Sequence, residues 1–477
     1  MSTASVNYTG RRKIKSMYSE VTSANLFEIL QKAYLEHLVN KDEMEYLWSY
    51  YRGTQPILHK TKAVRPEINN KIVENHALEI VDFNKGYVFG EPIQYVRRSD
   101  DESISDSINF LNEFMLAENK FAQDDELAEW MYVCGIGCRV VLYKFENDAD
   151  SPFFLKTLDP RYSFVVYVND IAEEPLLGVT YIVGTNGVPS KFYCYTKNMY
   201  YVVESTAGTQ MDILEMRSHI LGDVPIVEYP ANNRRMGAFE PVIPILDAIN
   251  NTTSDRLDGI DQFVQSFMKF VNCDIDEETF TSFKQLGAIK INTIDPSRQA
   301  DVEIVSSELN QSDTQVTKDD LYETMLIICG MPDRKTTRSG GDTGQAVILR
   351  DGWGAAESRA RTTELTFKKS ERRLLKMILK IMESDPIVES PLKIADIDIK
   401  FTRNKTDSLQ VKTQALMNLL TCGIHPQIAV QNVGLFSDPE QVYVDSKEYL
   451  EKWKNQPEAK TVETEEGTSQ IANQPTT

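Results

Sequence analysis

The 477-residue chain has no apolar run approaching the roughly 18 to 20 residues that span a bilayer, and its N-terminal MSTASVNYTGRRKIKSMYSEVT lacks the apolar core of a secretory signal. The expectation is a chain made and kept in a cytoplasm. Cysteine is scarce: Cys134, Cys138, Cys194, Cys273, Cys329 and Cys422 are spread thinly, which fits reduced structural thiols rather than a disulfide scaffold. Only Cys134 and Cys138, in CGIGC, lie close together, and no second pair or neighbouring histidine completes a tetrahedral zinc site. The five histidines (His37, His59, His76, His219, His425) are dispersed, and neither a Gly-x-Ser-x-Gly elbow nor a His-Glu-x-x-His helix occurs. No Gly-Lys dipeptide occurs either, so the Gly-rich RSGGDTGQA is not a nucleotide phosphate loop, and GYVFG has the wrong spacing for a dinucleotide turn. The nearest approach to a nuclease-like cluster is Asp124, Asp125 and Glu126. Adjacent acids on a helix diverge, and this run reads as a solvated face. The inventory points away from catalysis and calls for no cofactor or metal.

Net positive charge is missing as well. At −20 the chain is not built to grip nucleic acid over its whole surface, because that affinity comes from Lys and Arg neutralising phosphates. The charge is uneven, however. From Arg334 to Lys380 there are 12 basic and 5 acidic side chains, a local balance of +7, which leaves −27 for the remainder.

What is present is a succession of regular elements. Leu26, Leu30, Ala33 and Leu38 keep helical spacing in a run that Gly53 ends. In NNKIVENHALEIVDFNKGYVFGEPIQY, Val73, Ala77, Ile80 and Val81 predict a second helix stopping near Lys85-Gly86, after which PIQYVRR turns as a strand into a sheet. Further helix follows in SDSINFLNEFMLAENKFAQDDELAEWMYVCGIG, then strand-like RVVLYKF, FFLKTL, YSFVVYV, LGVTYIV and KFYCYTKNMYYVVE, separated by turn residues. Residues 24 to about 235 therefore read as an α+β domain with an antiparallel sheet. A long helix is expected over Phe239 to Cys273, with Leu246, Ile249, Leu257, Ile260, Phe263, Val264, Phe267, Met268 and Val271 on one stripe. Asp247, Asp255, Asp258 and Asp261 fall on roughly the opposite side, as a solvated back. A small α/β insert (274–315) and a helix returning to Gly330 precede RKTTRSGGDTGQA. From there a helix of about forty residues is expected over Thr343 to Ser384, kinked at Gly352 and Gly354. After the strand DIDIKF, two or three helices close the ordered part, and the tail from about Asn455 has the composition of a disordered segment.

Taken in order, these pieces resemble the portal proteins of long-tailed, siphovirus-type bacteriophages. The resemblance rests on YYRGTQPIL with the NNKIVENHALEIVDFNKGYVFGEPIQY stretch; LDPRYSFVVYVND; HILGDVPIVEYPANN; CGMPDRKTTRSGGDTGQAVILR; and FTRNKTDSLQ with VGLFSDPEQVYVDSKEYLEKW. It implies a multi-part architecture: basic N-terminal arm (1–22), wing (23–238), stem helix (239–273), clip (274–315), second stem helix (316–332), tunnel loop (333–345), kinked tunnel helix and return (346–394), crown (395–454) and tail (455–477). It also implies a head-to-tail connector ring, usually dodecameric, at one capsid vertex. Double-stranded DNA is packaged and ejected through such a ring, and the large terminase, a head-completion adaptor, scaffold and major capsid proteins are its partners; no membrane is involved. On this reading Asp247, Asp255, Asp258 and Asp261 line the channel and repel phosphate. Arg334, Lys335 and Arg338 touch DNA or pair with adjacent subunits, in a loop that Gly340, Gly341, Asp342, Thr343, Gly344 and Gln345 complete. The rival readings are an ATPase or nuclease of the packaging motor, which lacks its phosphate loop, and a non-viral ring-forming scaffold protein.

Overall fold

The computed structural model describes residues 10–98, 104–144, 150–185, 188–206, 210–264, 267–274, 292–295, 297, 301–305, 311–333, 352–383, 392–403, 409–433, 435–436 and 439–454. The chain divides into a body, Met1–Asn404, and a smaller C-terminal unit, Lys405–Thr477. Helix and strand are both abundant, in an α+β arrangement.

The body is layered. Strand β1 (Ile14–Ser16) runs parallel to β5 (Ser163–Val168), and β6 (Pro175–Ile182), β7 (Ser190–Tyr195), β8 (Met199–Thr206) and β9 (Gln210–Ser218) follow in antiparallel order. Alternation sorts this sheet. Phe164 and Val166 face helix α1 (Leu26–Tyr51), whose Leu26, Ile29, Leu30 and Ala33 share their core. Val165 and Tyr167 face the other way, toward Cys138, Val140 and Ile226 of a second sheet. That sheet has the order β10 (Ile226–Pro230), β3 (Ile136–Tyr143), β4 (Phe153–Leu158). The two sheets meet closely at Gly178, where an added Cβ would lie 2.8 Å from Ile226 and Val224 side-chain atoms. On the far face of the second sheet sit α4 (Lys120–Cys134) and α7 (Trp353–Met382), joined through the main core by α2 (His76–Phe89) and α3 (Ser105–Ala117). Helix α1 covers the first sheet with its N-terminal half only; its Met44, Leu47, Tyr50 and Tyr51 enter the main core, where Trp48 stacks on Trp130 of α4 at 4.3 Å.

Several expectations are corrected. The arm is part of the fold from Gly10 onward: Arg11 is buried between Glu240 (2.6 Å) and Glu43 (3.1 Å), and Lys13 and Lys15 pair with Glu173. Helix α2 begins at His76, not Asn69, and runs past Gly86 to Phe89. Strand β2 (Gln94–Arg97) does not enter the wing sheet; it pairs with β15 (Ile397–Lys400), whose residues lie 300 to 306 positions further along the chain. The strand at DIDIKF therefore belongs to the body, and the C-terminal unit starts at Lys405 rather than 395.

The long helix is shorter than expected: α5 covers Ile243–Val264, and Phe267–Val271 is strand β11, antiparallel to β14 (Asp301–Val305). Beside it, β12 (Cys273–Asp274) pairs with β13 (Asn292–Thr293). Helix α6 spans Gln311–Cys329, so it starts inside the range assigned to the insert. It turns Met325, Leu326 and Cys329 inward, while Ile328 is 39% exposed. In the C-terminal unit, α8 (Leu409–Thr421), α9 (Pro426–Val433) and α10 (Pro439–Lys454) follow one another.

Candidate functional site

Helix α5 carries the candidate channel acids, and its polar face is occupied. Residues 69–75 run extended along it, and every second backbone N–H donates to a side chain one helical turn further on. Glu74 N donates to Asn250 Oδ1 (2.8 Å), Ile72 N to Ser254 Oγ (3.0 Å) and Asn70 N to Asp258 Oδ1 (2.6 Å). The match is geometric: two extended residues advance about 6.6 Å and four helical residues about 6 Å. Asn250, Ser254 and Asp258 are consequently buried, at 0%, 0% and 4% exposure. Asp258 also accepts from Asn70 Nδ2 (2.9 Å) and from Lys62, and these contacts outweigh its burial to hold its carboxyl below the usual range.

The other three acids differ from one another. Asp247 accepts from the Tyr50 hydroxyl at 2.9 Å, and its burial pushes its pKa up. Asp255 pairs with Lys60 at 2.5 Å yet keeps a side chain 61% exposed, and Asp261 is exposed while accepting from Asn70 Nδ2 (2.7 Å). The back of α5 is therefore a docking strip for the chain's own 60–75 segment, with Asp255 and Asp261 left accessible. The opposite stripe is buried at Leu246 and Ile249 but 36% exposed at Leu257, and the side chains of Phe263, Val264, Phe267 and Met268 lie outside the described residues.

A second cluster closes the end of that strip. Glu74 accepts from Lys318 (2.6 Å) and from Thr253, and lies 3.3 Å from His76 Nε2; His76 Nδ1 is 2.9 Å from Glu79, which accepts from Tyr322 (3.0 Å). Burial opposes charge on His76, but Glu74 and Glu79 outweigh it and raise the imidazole to about 9. Its contact with His76, reinforced by Lys318 and Thr253, lowers Glu74 to about 2. His76 thus clasps α2, α5 and α6 together.

A third cluster fixes α7. Glu371 is wholly buried and accepts from the hydroxyls of Tyr95 and Tyr229 (2.7 Å), with Lys120 at 3.2 Å and Arg139 at 3.9 Å. Lys120 and Arg139 both also reach Asp124, at 2.6 and 2.7 Å. Burial pushes the Glu371 carboxyl up, yet the two cations and two hydroxyls hold it below its ordinary value. Asp124 is thus the buried counter-ion of two cations rather than part of a solvated face; Asp125 pairs with Lys85, and only Glu126 is exposed.

The tunnel-loop residues Arg334, Lys335, Arg338, Gly340, Gly341, Asp342, Thr343, Gly344 and Gln345 lie outside the described residues. The residues before Gly352 that the expected kink would join to α7 lie outside the described residues. Gly352 is the left-handed residue (φ 83°) immediately before α7, and Gly354 falls in the first turn. The described cysteines are free thiols. Burial raises Cys134, Cys138 and Cys194 far above their usual range and Cys329 to about 12, leaving them unreactive. Among the described residues, no group of three or more His, Cys, Asp or Glu is placed to hold a metal ion, and no helix is long and apolar enough to cross a membrane.

The buried polar groups in these clusters bind one element of the chain to another. Residues 31–462 match the family described as phage portal protein, SPP1 Gp6-like, and the chain belongs to that family. It is a portal protein of a bacteriophage capsid vertex, forming the channel through which double-stranded viral DNA is packaged and later ejected, and the docking site for packaging and head-completion components. No curated protein matches the chain.

Proposed function

We propose that the chain closes into a dodecameric ring, assembled in the host bacterial cytoplasm and retained in the virion. In it, 23–238 form the wing, α5 and α6 the stem, the segment between those helices the clip, and the helices from 405 to 454 the crown. The large terminase docks on the clip during packaging and a head-completion adaptor replaces it afterwards, while scaffold and major capsid proteins surround the wing. The observation that carries this reading is the family match, which runs through all of these parts in one stretch from residue 31 to residue 462.

Of the four stem acids, Asp255 and Asp261 face the bore and keep phosphate from adhering, whereas Asp247 and Asp258 hold their own chain in place. Arg334, Lys335 and Arg338 approach the DNA at the narrowest point, where Gly340, Gly341 and Gly344 let the loop change shape as duplex passes. Heads assembled with Asp261→Lys, or with Gly340–Thr343 deleted, should contain several-fold less DNA than wild type, measured by quantitative PCR of nuclease-protected genomes. Full-length genomes in normal amount in both variants would remove these residues from the channel mechanism.

A further inference from the structure

The ring must bring one side of each copy against a different side of the next, since a cyclic assembly of more than two subunits uses two unlike surfaces. The body supplies two exposed helical faces, one on α7 and one on α1, and they are opposite in charge. On α7, Leu365, Lys369, Arg372 and Lys376 follow one another at spacings of four, three and four residues and are all exposed, Leu365 at 72%. The acids of this helix are turned elsewhere: Glu357 and Glu364 pair with Arg403, and Glu371 is in the core. On α1, Leu35 (60% exposed), Val39 (43%) and Asp42 have the matching four-then-three spacing, with Glu36 beside them. No charged partner for Glu36, Asp42, Lys369, Arg372 or Lys376 occurs among the described residues.

We propose that the exposed face of α7 in one copy packs against the exposed face of α1 in the next copy around the ring, Leu365 meeting Leu35 and Val39 while Lys369 and Arg372 meet Glu36 and Asp42. The proposal rests on the ring reading and adds the two faces that close it. Two features select a second copy over duplex DNA as the occupant. An exposed leucine in the basic row has no use against phosphate but matches the apolar pair on α1. A chain of net charge −20 also needs local complementarity wherever copies meet. The residues fit one helix-on-helix contact: the α7 row extends about 16 Å and the α1 row about 10 Å at about 1.5 Å per residue.

The test is a charge swap on the full chain, read by sedimentation velocity and negative-stain microscopy. Lys369→Glu with Arg372→Glu should lower the ring fraction at least tenfold, and Glu36→Lys with Asp42→Lys should do the same. All four changes together should restore rings to at least half the wild-type level. Circular dichroism melts matching wild type would separate lost assembly from lost folding, and rescue by the fourfold variant cannot come from a misfolded chain. Rings unaffected by either pair, or a fourfold variant worse than both, would overturn the proposal. So would intact rings with reduced DNA retention in the Lys369→Glu/Arg372→Glu variant, which would assign the basic row to DNA. Wild-type protein that forms no ring would overturn the ring reading itself.

Discussion

Glu371 shows how much one side chain can organise. Its carboxylate is reached from β2 through Tyr95, from β10 through Tyr229, from β3 through Arg139 and from α4 through Lys120. With Asp124 the cluster is neutral, two cations against two anions, and its most exposed member, Lys120, is only 4% exposed. Removing one anion leaves a buried cation without compensation, which is costlier than never having built the pair. Glu371→Gln keeps the shape and deletes the charge. It should destabilise the chain by about 3 to 5 kcal/mol, seen as a lower midpoint in equilibrium urea unfolding. A loss under about 1 kcal/mol would show that the tyrosine hydroxyls alone hold α7.

Between elements, the main device is the extended segment at 69–75 lying on α5, clasped by His76. The groups facing that imidazole are Glu74 on the segment, Glu79 on α2 and Tyr322 on α6, with Lys318 and Thr253 binding Glu74 from α6 and α5. Because the folded pKa of His76 lies at about 9, above the ordinary 6.5, its stabilisation is complete below pH 6.5 and is lost as pH rises through about 9. Wild type should therefore lose more thermal stability than His76→Gln between pH 6 and pH 9.5, measured by calorimetry in matched buffers. Equal losses in the two proteins would mean that the histidine is neutral in its clasp. This device was not legible in the sequence, for a physical reason. Val73, Ala77 and Ile80 have helical spacing, but the backbone N–H groups of residues 70, 72 and 74 are satisfied by side chains some 180 residues away, and those bonds prevail over local periodicity. The end of α5 misled in the converse way. Phe267 and Val271 fit the helical stripe, yet the same run fits a strand of alternate residues, and its partner at 301–305 decides. Where pattern and partner agree, as in the alternating β4 and the spacing of α1, the sequence sufficed, whereas KFYCYTKNMYYVVE, which reads as one strand-like run, is the antiparallel pair β7 and β8. The acidic back of α5 was legible as a face but not as a docking strip, because only the fold brings Lys60, Lys62 and Asn70 to it.

At the scale of the whole molecule, two electrostatic effects of different range act on assembly. Each copy carries −20, so copies approaching at low ionic strength repel over the full Debye length, about 30 Å at 0.01 M salt. The proposed contact between α7 and α1 is short-ranged and partly apolar, so it survives when that length falls to about 8 Å near 0.15 M. At 1 M, where the length is about 3 Å, the exposed charge pairs themselves weaken, leaving the leucine and valine contacts. The ring fraction at fixed protein concentration should therefore rise between 0.01 and 0.15 M salt and fall again toward 1 M, as read by sedimentation velocity. The variant carrying Lys369→Glu and Arg372→Glu, which adds −4 to each copy and replaces attraction with repulsion at the contact, should instead gain rings monotonically with salt. A wild-type ring fraction that only declines from the lowest salt upward would mean that local attraction already exceeds the long-range repulsion of the subunits.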